Sequence, residues 1–157
     1  MDLASWTLGL SLIVVTIAIH TTAVVLMAFG LEARIRARAT RPAPGLRRAI
    51  PTVIGRVGAV ALILAALHGL EGVLWALAYW RLGATDSFTD ASIYALSAMT
   101  TFETPGLTLP PRFQMLSALE AVNGVLLFGI STAFLFAVTQ VHWHLISTRS
   151  DLAADRG

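Results

Sequence analysis

The sequence contains no cysteine and no lysine. The lack of cysteine excludes disulfides, thiolate-bound metals and thiol nucleophiles. Charged residues are also scarce, at 13% of the chain against about a quarter in an average soluble domain. No nucleophile triad, phosphate-binding glycine loop or paired-histidine metal motif occurs. We therefore expect neither an enzyme nor a soluble domain.

Apolar residues dominate instead, at 56% of 157 residues. Three stretches exceed the about 20 apolar residues that a membrane helix needs. They run over Ser5–Leu31, Val53–Trp80 and Met115–Ile146. The first could alternatively be a signal peptide, but Asp2 replaces the usual basic start and the positive flank lies on the wrong side. The sequence therefore predicts an all-α membrane protein with three transmembrane helices.

The basic residues indicate an orientation. All eleven are arginine, and seven of them fall between Arg34 and Arg56. Flanked by apolar segments, this run is more typical of a cytoplasmic loop than of a nucleic-acid-binding face. We expect a cytoplasmic linker over 32–52, an outer N-terminus and a cytoplasmic tail over 147–157. The protein is predicted to lie in a bacterial inner membrane. We expect the lipid bilayer to be a partner and expect no binding to nucleic acid.

A shorter helix is predicted between the second and third spans. The stretch "DASIYALSAM" favours a helix over 88–101, which is too short to cross a bilayer. Its possible N-terminal caps are Ser87, Thr89 and Asp90. Pro105 and Gly106 then predict a turn. We expect this helix to be re-entrant, with Thr100–Gly106 leading the chain back to the surface it entered from.

This order of elements resembles a known family. "DASIYALSAMTT" is similar to the pore helix of tetrameric cation channels of the two-helix potassium-channel type, and "QMLSALEAVNGVLLFGIST" to the start of their inner helix, including Glu120 and Gly124. The resemblance implies a homotetrameric pore. The implied segments are an outer helix over 53–81, a pore helix over 88–101, a filter over 100–106 and an inner helix over 113–146. The first helix, over 1–31, is an addition to that plan.

The expected filter departs from the potassium-selective pattern. There the two threonines are followed by Val-Gly-Tyr-Gly-Asp, whereas here Glu103 and Pro105 stand at the glycine positions. Proline fixes φ near −65°, which disfavours the carbonyl-lined backbone of that family. "TFET" instead resembles the Thr-Leu-Glu-Ser stretch of bacterial sodium channels and their calcium-selective relatives.

This second resemblance implies a ring of four Glu103 carboxylates that selects cations and holds them transiently. The other residues expected to line the filter are Thr100, Thr101, Phe102 and Thr104. The permeant ion is Na⁺, Ca²⁺ or K⁺, and we expect no cofactor and no small-molecule substrate. The alternative is that Glu103 is an ordinary loop carboxylate in water.

Three ionisable residues within the spans are expected to support this site, namely His68, Glu71 and Glu120. The two acids are expected to bond the backbone of the short helix or its polar side chains, Tyr94, Ser97 and Thr100. His68 shares a helix face with Glu71 and is a possible partner for it.

The inner helix and the first span carry further candidates. Gly124 and Gly129 allow either a gating bend or close helix packing, and Asn123 either lines the cavity or bonds a neighbour. A bis-histidine haem would need His20 beside His68. At 1.5 Å per residue we place them about 16 Å and 21 Å from the inner membrane surface, which predicts an axial offset.

Three other functions stay open. A potassium-permeable or nonselective channel would use the carbonyls of Thr100–Phe102. A non-conducting membrane subunit would have a decayed pore. A small proton-coupled transporter would use His68 and Glu71.

Overall fold

The computed structural model describes residues 3–39, 46–102 and 104–154, without the side chains of residues 4, 38–39, 46–49 and 144–154. Within these ranges the chain is helical and has no strand. Its helices are α1 (Leu3–Ala39), α2 (Leu46–Arg81), α3 (Phe88–Met99) and α4 (Gln114–Ala154), with a 3₁₀ turn over Pro111–Phe113. Glu103 and residues 40–45 lie outside the described residues.

Three of the helices are long and apolar enough to cross a membrane. The candidate spans are Ser5–Ala37, Ile50–Arg81 and Pro111–Trp143. The three predicted spans are thereby confirmed, and the described part of the chain is all-helical, as in a multi-pass membrane protein. Both α1 and α2 extend beyond the apolar stretches and into the arginine-rich linker. The helical backbone therefore continues where the composition has already become polar.

The short helix α3 begins at a side-chain cap. The Ser87 hydroxyl accepts a hydrogen bond from the backbone N–H of Asp90 at 3.0 Å, and it donates one to the Asp90 carboxylate at 2.7 Å. This exchange satisfies one of the N–H groups that a helix start leaves unpaired. Of the three predicted caps, the structure therefore uses Ser87.

The described chain forms two compact units. The first comprises Met1–Thr22 and Ala65–Ile130. Its core includes Trp75 and Tyr79 of α2 and Leu116 of α4, all fully buried. One face of α3 packs into this core through the small residues Ala91 and Ala95. Their spacing of four residues places both on the same side of the helix.

Glycines bring the helices of this unit close together. A Cβ built on Gly124 of α4 would lie 2.1 Å from the carbonyl oxygen of Met99, at the end of α3. A Cβ on Gly72 of α2 would lie 2.8 Å from Leu96 of α3, and one on Gly9 of α1 2.5 Å from Leu119 of α4. Helix α3 therefore contacts both α2 and α4 closely, and α1 packs against α4.

The second unit comprises Ala23–Leu64 and Ser131–Gly157. Its buried apolar residues include Leu64 and Val138. His142 is also buried, and its Nδ1 donates a hydrogen bond to the Val138 carbonyl at 2.8 Å. The other ring nitrogen lies 3.3 Å from an Arg56 guanidinium nitrogen, which can donate to it. Both ring nitrogens of His142 thus have partners within this unit.

Candidate functional site

The segment after α3 starts with an unusual backbone turn. The N–H groups of Thr101 and Phe102 donate to the carbonyls of Ala98 and Ser97, at 3.0 Å and 2.8 Å. This pair of bonds is the Schellman motif, in which the residue after the cap adopts a left-handed conformation. That residue is Thr101, with φ of 57°, and it is the one non-glycine residue with positive φ in the described chain.

Helix α2 ends with the same motif but with glycine at the equivalent position. Gly83 has φ of 65°, and the N–H groups of Gly83 and Ala84 donate to the carbonyls of Trp80 and Tyr79. A β-branched residue in this conformation is strained, whereas glycine is not. Strain of this kind is found mostly at functional sites, where the surrounding structure maintains it.

Replacing Thr101 with glycine should therefore stabilise the protein. A left-handed conformation costs an L-residue roughly 1–2 kcal/mol, and the greater backbone entropy of glycine in the unfolded chain offsets only part of that relief. We expect a net gain of about 0.5–1 kcal/mol, seen as a rise in the Tm of the detergent-purified protein of about 1–4 °C. Thr100 has φ of −92°, so Thr100→Gly is the matched control and should lower the Tm. A lower Tm for Thr101→Gly would show that no strain exists at this position.

A cavity of about 710 Å³ lies between the end of α3, the segment that follows it and the start of α4. Polar and apolar side chains both contribute to its lining. The polar side chains are those of Tyr94, Ser97, Thr101, Thr104, Thr108, Gln114 and Ser117. The Thr104 hydroxyl is buried and has no hydrogen-bond partner among the described residues. Hydroxyl and carbonyl oxygens suit hard cations such as Na⁺ and Ca²⁺.

The structure brings most of the predicted filter residues to this cavity. Thr101, Phe102 and Thr104 line it, together with Pro105 and Gly106. Thr100 caps α3 and directs its hydroxyl back to the carbonyls of its own last turn. Glu103, the predicted selecting residue, lies outside the described residues.

The partners described for the two buried acids lie on α1 and α2, whereas we expected contacts with the short helix α3. The Tyr79 hydroxyl donates a hydrogen bond to Glu120 at 2.7 Å, and both side chains are fully buried. The second Glu120 oxygen has no partner among the described residues. Tyr94 of α3 instead shares a hydrogen bond of 2.7 Å with Ser117. The hydrogen bond to Glu120 therefore comes from Tyr79 of α2 and not from α3.

Glu71 lies in a buried cluster with two histidines. The His20 Nδ1 donates to one carboxylate oxygen at 2.9 Å, and the His68 Nδ1 lies 3.3 Å from the other. The two imidazole rings are 5.1 Å apart. The predicted contact between His68 and Glu71 is present, and the His20 ring lies beside the His68 ring. The helix crossing that brings α1 to this point is not encoded in the apolar pattern of either helix.

The three candidates on α4 differ in their surroundings. Gly124 is at the closest helix contact of the unit. Asn123 is fully buried, and its Oδ1 lies 3.1 Å from the Thr16 hydroxyl of α1. A Cβ on Gly129 would have no atom within 4 Å among those described. Close packing, one of the two roles considered for Gly124, is thus what the structure gives it.

Comparisons with known proteins give no match to this chain, whether with family models, curated proteins or solved structures.

Proposed function

We propose that the protein is a homotetrameric channel for passive cation conduction, in which four Glu103 carboxylates select the ion. The single observation that carries this proposal is the contact between the end of α3 and Gly124. This contact fixes how far α3 extends along α4.

Distances along the helices give the depth of that contact. Gly124 is about 15 Å along α4 from Gln114, and Gly72 is about 14 Å along α2 from Arg81. The hydrocarbon core of a bilayer is about 30 Å thick. If Arg81 and Gln114 lie near one membrane surface, α3 ends near the middle of the bilayer. The chain must then return to that same surface at Pro111, which is the path of a re-entrant pore loop.

Such a path requires water or protein around the irregular backbone. Thr100 and Thr101 are exposed in the single chain, and polar backbone of this kind is not tolerated against lipid. Either a water-filled passage or further copies of the chain must cover it. A tetramer around a central passage supplies both. The buried Thr104 hydroxyl would then obtain a partner from water, an ion or a neighbouring chain.

Two electrostatic features favour cations in that passage. The C-terminal end of α3 carries the partial negative charge of a helix dipole, and this end adjoins the cavity. Glu103 follows within four residues of that end and would add one full negative charge per chain. A ring of carboxylates attracts cations and excludes anions.

Flux measurements on the purified protein in liposomes test this proposal. We expect Na⁺ or Ca²⁺ to pass down its gradient without a coupled substrate, and chloride to be excluded. Flux of K⁺ alone would favour carbonyl selection at Thr100–Phe102. Transport that requires a proton gradient and is lost in Glu71→Gln would favour the transporter. An absence of flux under every gradient would favour a non-conducting subunit, and each of these three results would contradict the proposal.

A further inference from the structure

The cluster of His20, His68 and Glu71 has the geometry of a ligand set. Each side chain offers one ligand atom, and the three atoms lie within 4.8 Å of one another. The His20 Nδ1 lies 2.9 Å from one Glu71 carboxylate oxygen, and the His68 Nδ1 lies 3.3 Å from the other. Ligand atoms about 2.0–2.1 Å from a tetrahedral metal ion stand about 3.3 Å apart. Small side-chain rotations would therefore place all three around one ion.

The helices supply these ligands in a way that suits a metal. His68 and Glu71 are three residues apart on α2, so the helix itself directs both side chains to the same side. His20 comes from α1 and completes the set. Carboxylate metal sites of helical bundles also combine an acid and a histidine three residues apart with ligands from other helices, in the order Glu-x-x-His where this chain has His-x-x-Glu.

The cluster is buried, so a negative charge on Glu71 requires a compensating partner. His20 and Glu71 are fully buried and His68 is 12% exposed. Phe128 of α4 stacks on the His68 ring with the centroids 4.3 Å apart, which limits the rotation of that ring. A buried carboxylate is costly unless a cation or strong donors compensate it. The His20 imidazole does so as a hydrogen-bond donor to one carboxylate oxygen, and a metal ion bound by all three groups would do so as a charge.

We propose that His20, His68 and Glu71 form a binding site for a divalent transition-metal ion of the zinc class. Two imidazole nitrogens and one carboxylate suit Zn²⁺, Fe²⁺ or Co²⁺ better than Mg²⁺ or Ca²⁺, which prefer oxygen ligands alone. Three protein ligands leave one position open to water or a further ligand. The ion would link α1 to α2. This site is separate from the cavity beside α3, and the proposal does not depend on ion conduction.

Metal binding to the purified full-length chain tests the proposal without any flux measurement. After treatment with a chelator, the protein should take up about one Zn²⁺ per chain. Zinc at 100 times its Kd should raise the Tm by about 5 °C or more. His20→Gln and Glu71→Gln should each weaken binding by at least about 100-fold, whereas the control His142→Gln should bind as the wild type does. Equal zinc affinity in all four proteins, or no uptake by the wild type, would overturn the proposal.

A second variant guards against substitutions that merely disturb folding. His68→Cys keeps a metal ligand at position 68, and it introduces the one cysteine of the variant because the unsubstituted chain has none. With Co²⁺ in place of Zn²⁺, we expect the near-ultraviolet absorption of a cobalt–thiolate bond in His68→Cys and its absence in the wild type. A folded His68→Cys protein without this absorption would show that residue 68 does not bind the metal, and that the cluster is held by hydrogen bonds alone.

Discussion

Among the glycine-to-alanine substitutions in α2 and α4, Gly124→Ala should destabilise the protein most. The new Cβ would lie 2.1 Å from the Met99 carbonyl oxygen and 2.7 Å from the Met99 Cα. These are backbone atoms of α3, so no side-chain rotation relieves the clash. Helix α3 would have to move away from α4. Overpacking typically costs about 1–3 kcal/mol, and we expect the upper end of that range.

Two other glycines provide graded controls for this prediction. At Gly72 the clash is with the Leu96 side chain at 2.8 Å, which can rotate, so Gly72→Ala should cost less. At Gly129 no described atom is within 4 Å, and Gly129→Ala should leave the protein as stable or slightly more so. Circular dichroism, used to monitor the unfolding of the three variants in detergent, gives the order of their stabilities. A Gly124→Ala protein as stable as Gly129→Ala would rule out the close contact between α3 and α4.

Glu103→Gln should greatly reduce cation flux while keeping the size of the side chain. A carboxylate 4 Å from a monovalent cation attracts it by about 4 kcal/mol at an effective dielectric constant of about 20. Each 1.4 kcal/mol is a factor of ten in binding. We therefore expect flux to fall by at least about tenfold. The loss should be larger for Ca²⁺ than for Na⁺, because the attraction scales with the charge of the ion.

Asp86 provides the matched control for Glu103. It is an exposed carboxylate in the loop between α2 and α3, so Asp86→Asn removes one negative charge without touching the segment after α3. Asp86→Asn should conduct within about twofold of the wild type, because exposed charges are strongly screened by salt. If Glu103→Gln and Asp86→Asn have equal flux and equal ion preference, Glu103 is an ordinary loop carboxylate.

The spans and the short helix could be predicted from the sequence because each depends on local information. Runs of apolar residues define α1, α2 and α4, and Ser87 marks the start of α3 through a contact only three residues away. The contact between His68 and Glu71 was predictable for the same reason, since a helix fixes the relation between residues three apart.

The contacts between helices could not be predicted in this way. The meeting of His20 with Glu71 depends on where α1 crosses α2, and α1 is apolar around most of its circumference, so its pattern selects no face. The expected contacts of Glu71 and Glu120 with the short helix were wrong for the same reason, since they depend on which helix faces which.

Strain at Thr101 had no signal in the sequence either. Threonine is a residue that resists positive φ, so a left-handed turn there contradicts local preference. The bonds from Thr101 and Phe102 to the end of α3 maintain it. The sequence does place this threonine two residues before Glu103, the lone acid of the segment, which is where a conducting site is proposed.

Electron cryomicroscopy of the full-length protein in a lipid nanodisc tests the central claim most directly. The account predicts four chains around one axis, with the ends of the four α3 helices directed at it and the Glu103 carboxylates facing a shared water-filled passage. A monomeric particle would contradict the account, as would an assembly in which Glu103 faces lipid or bulk water away from the symmetry axis.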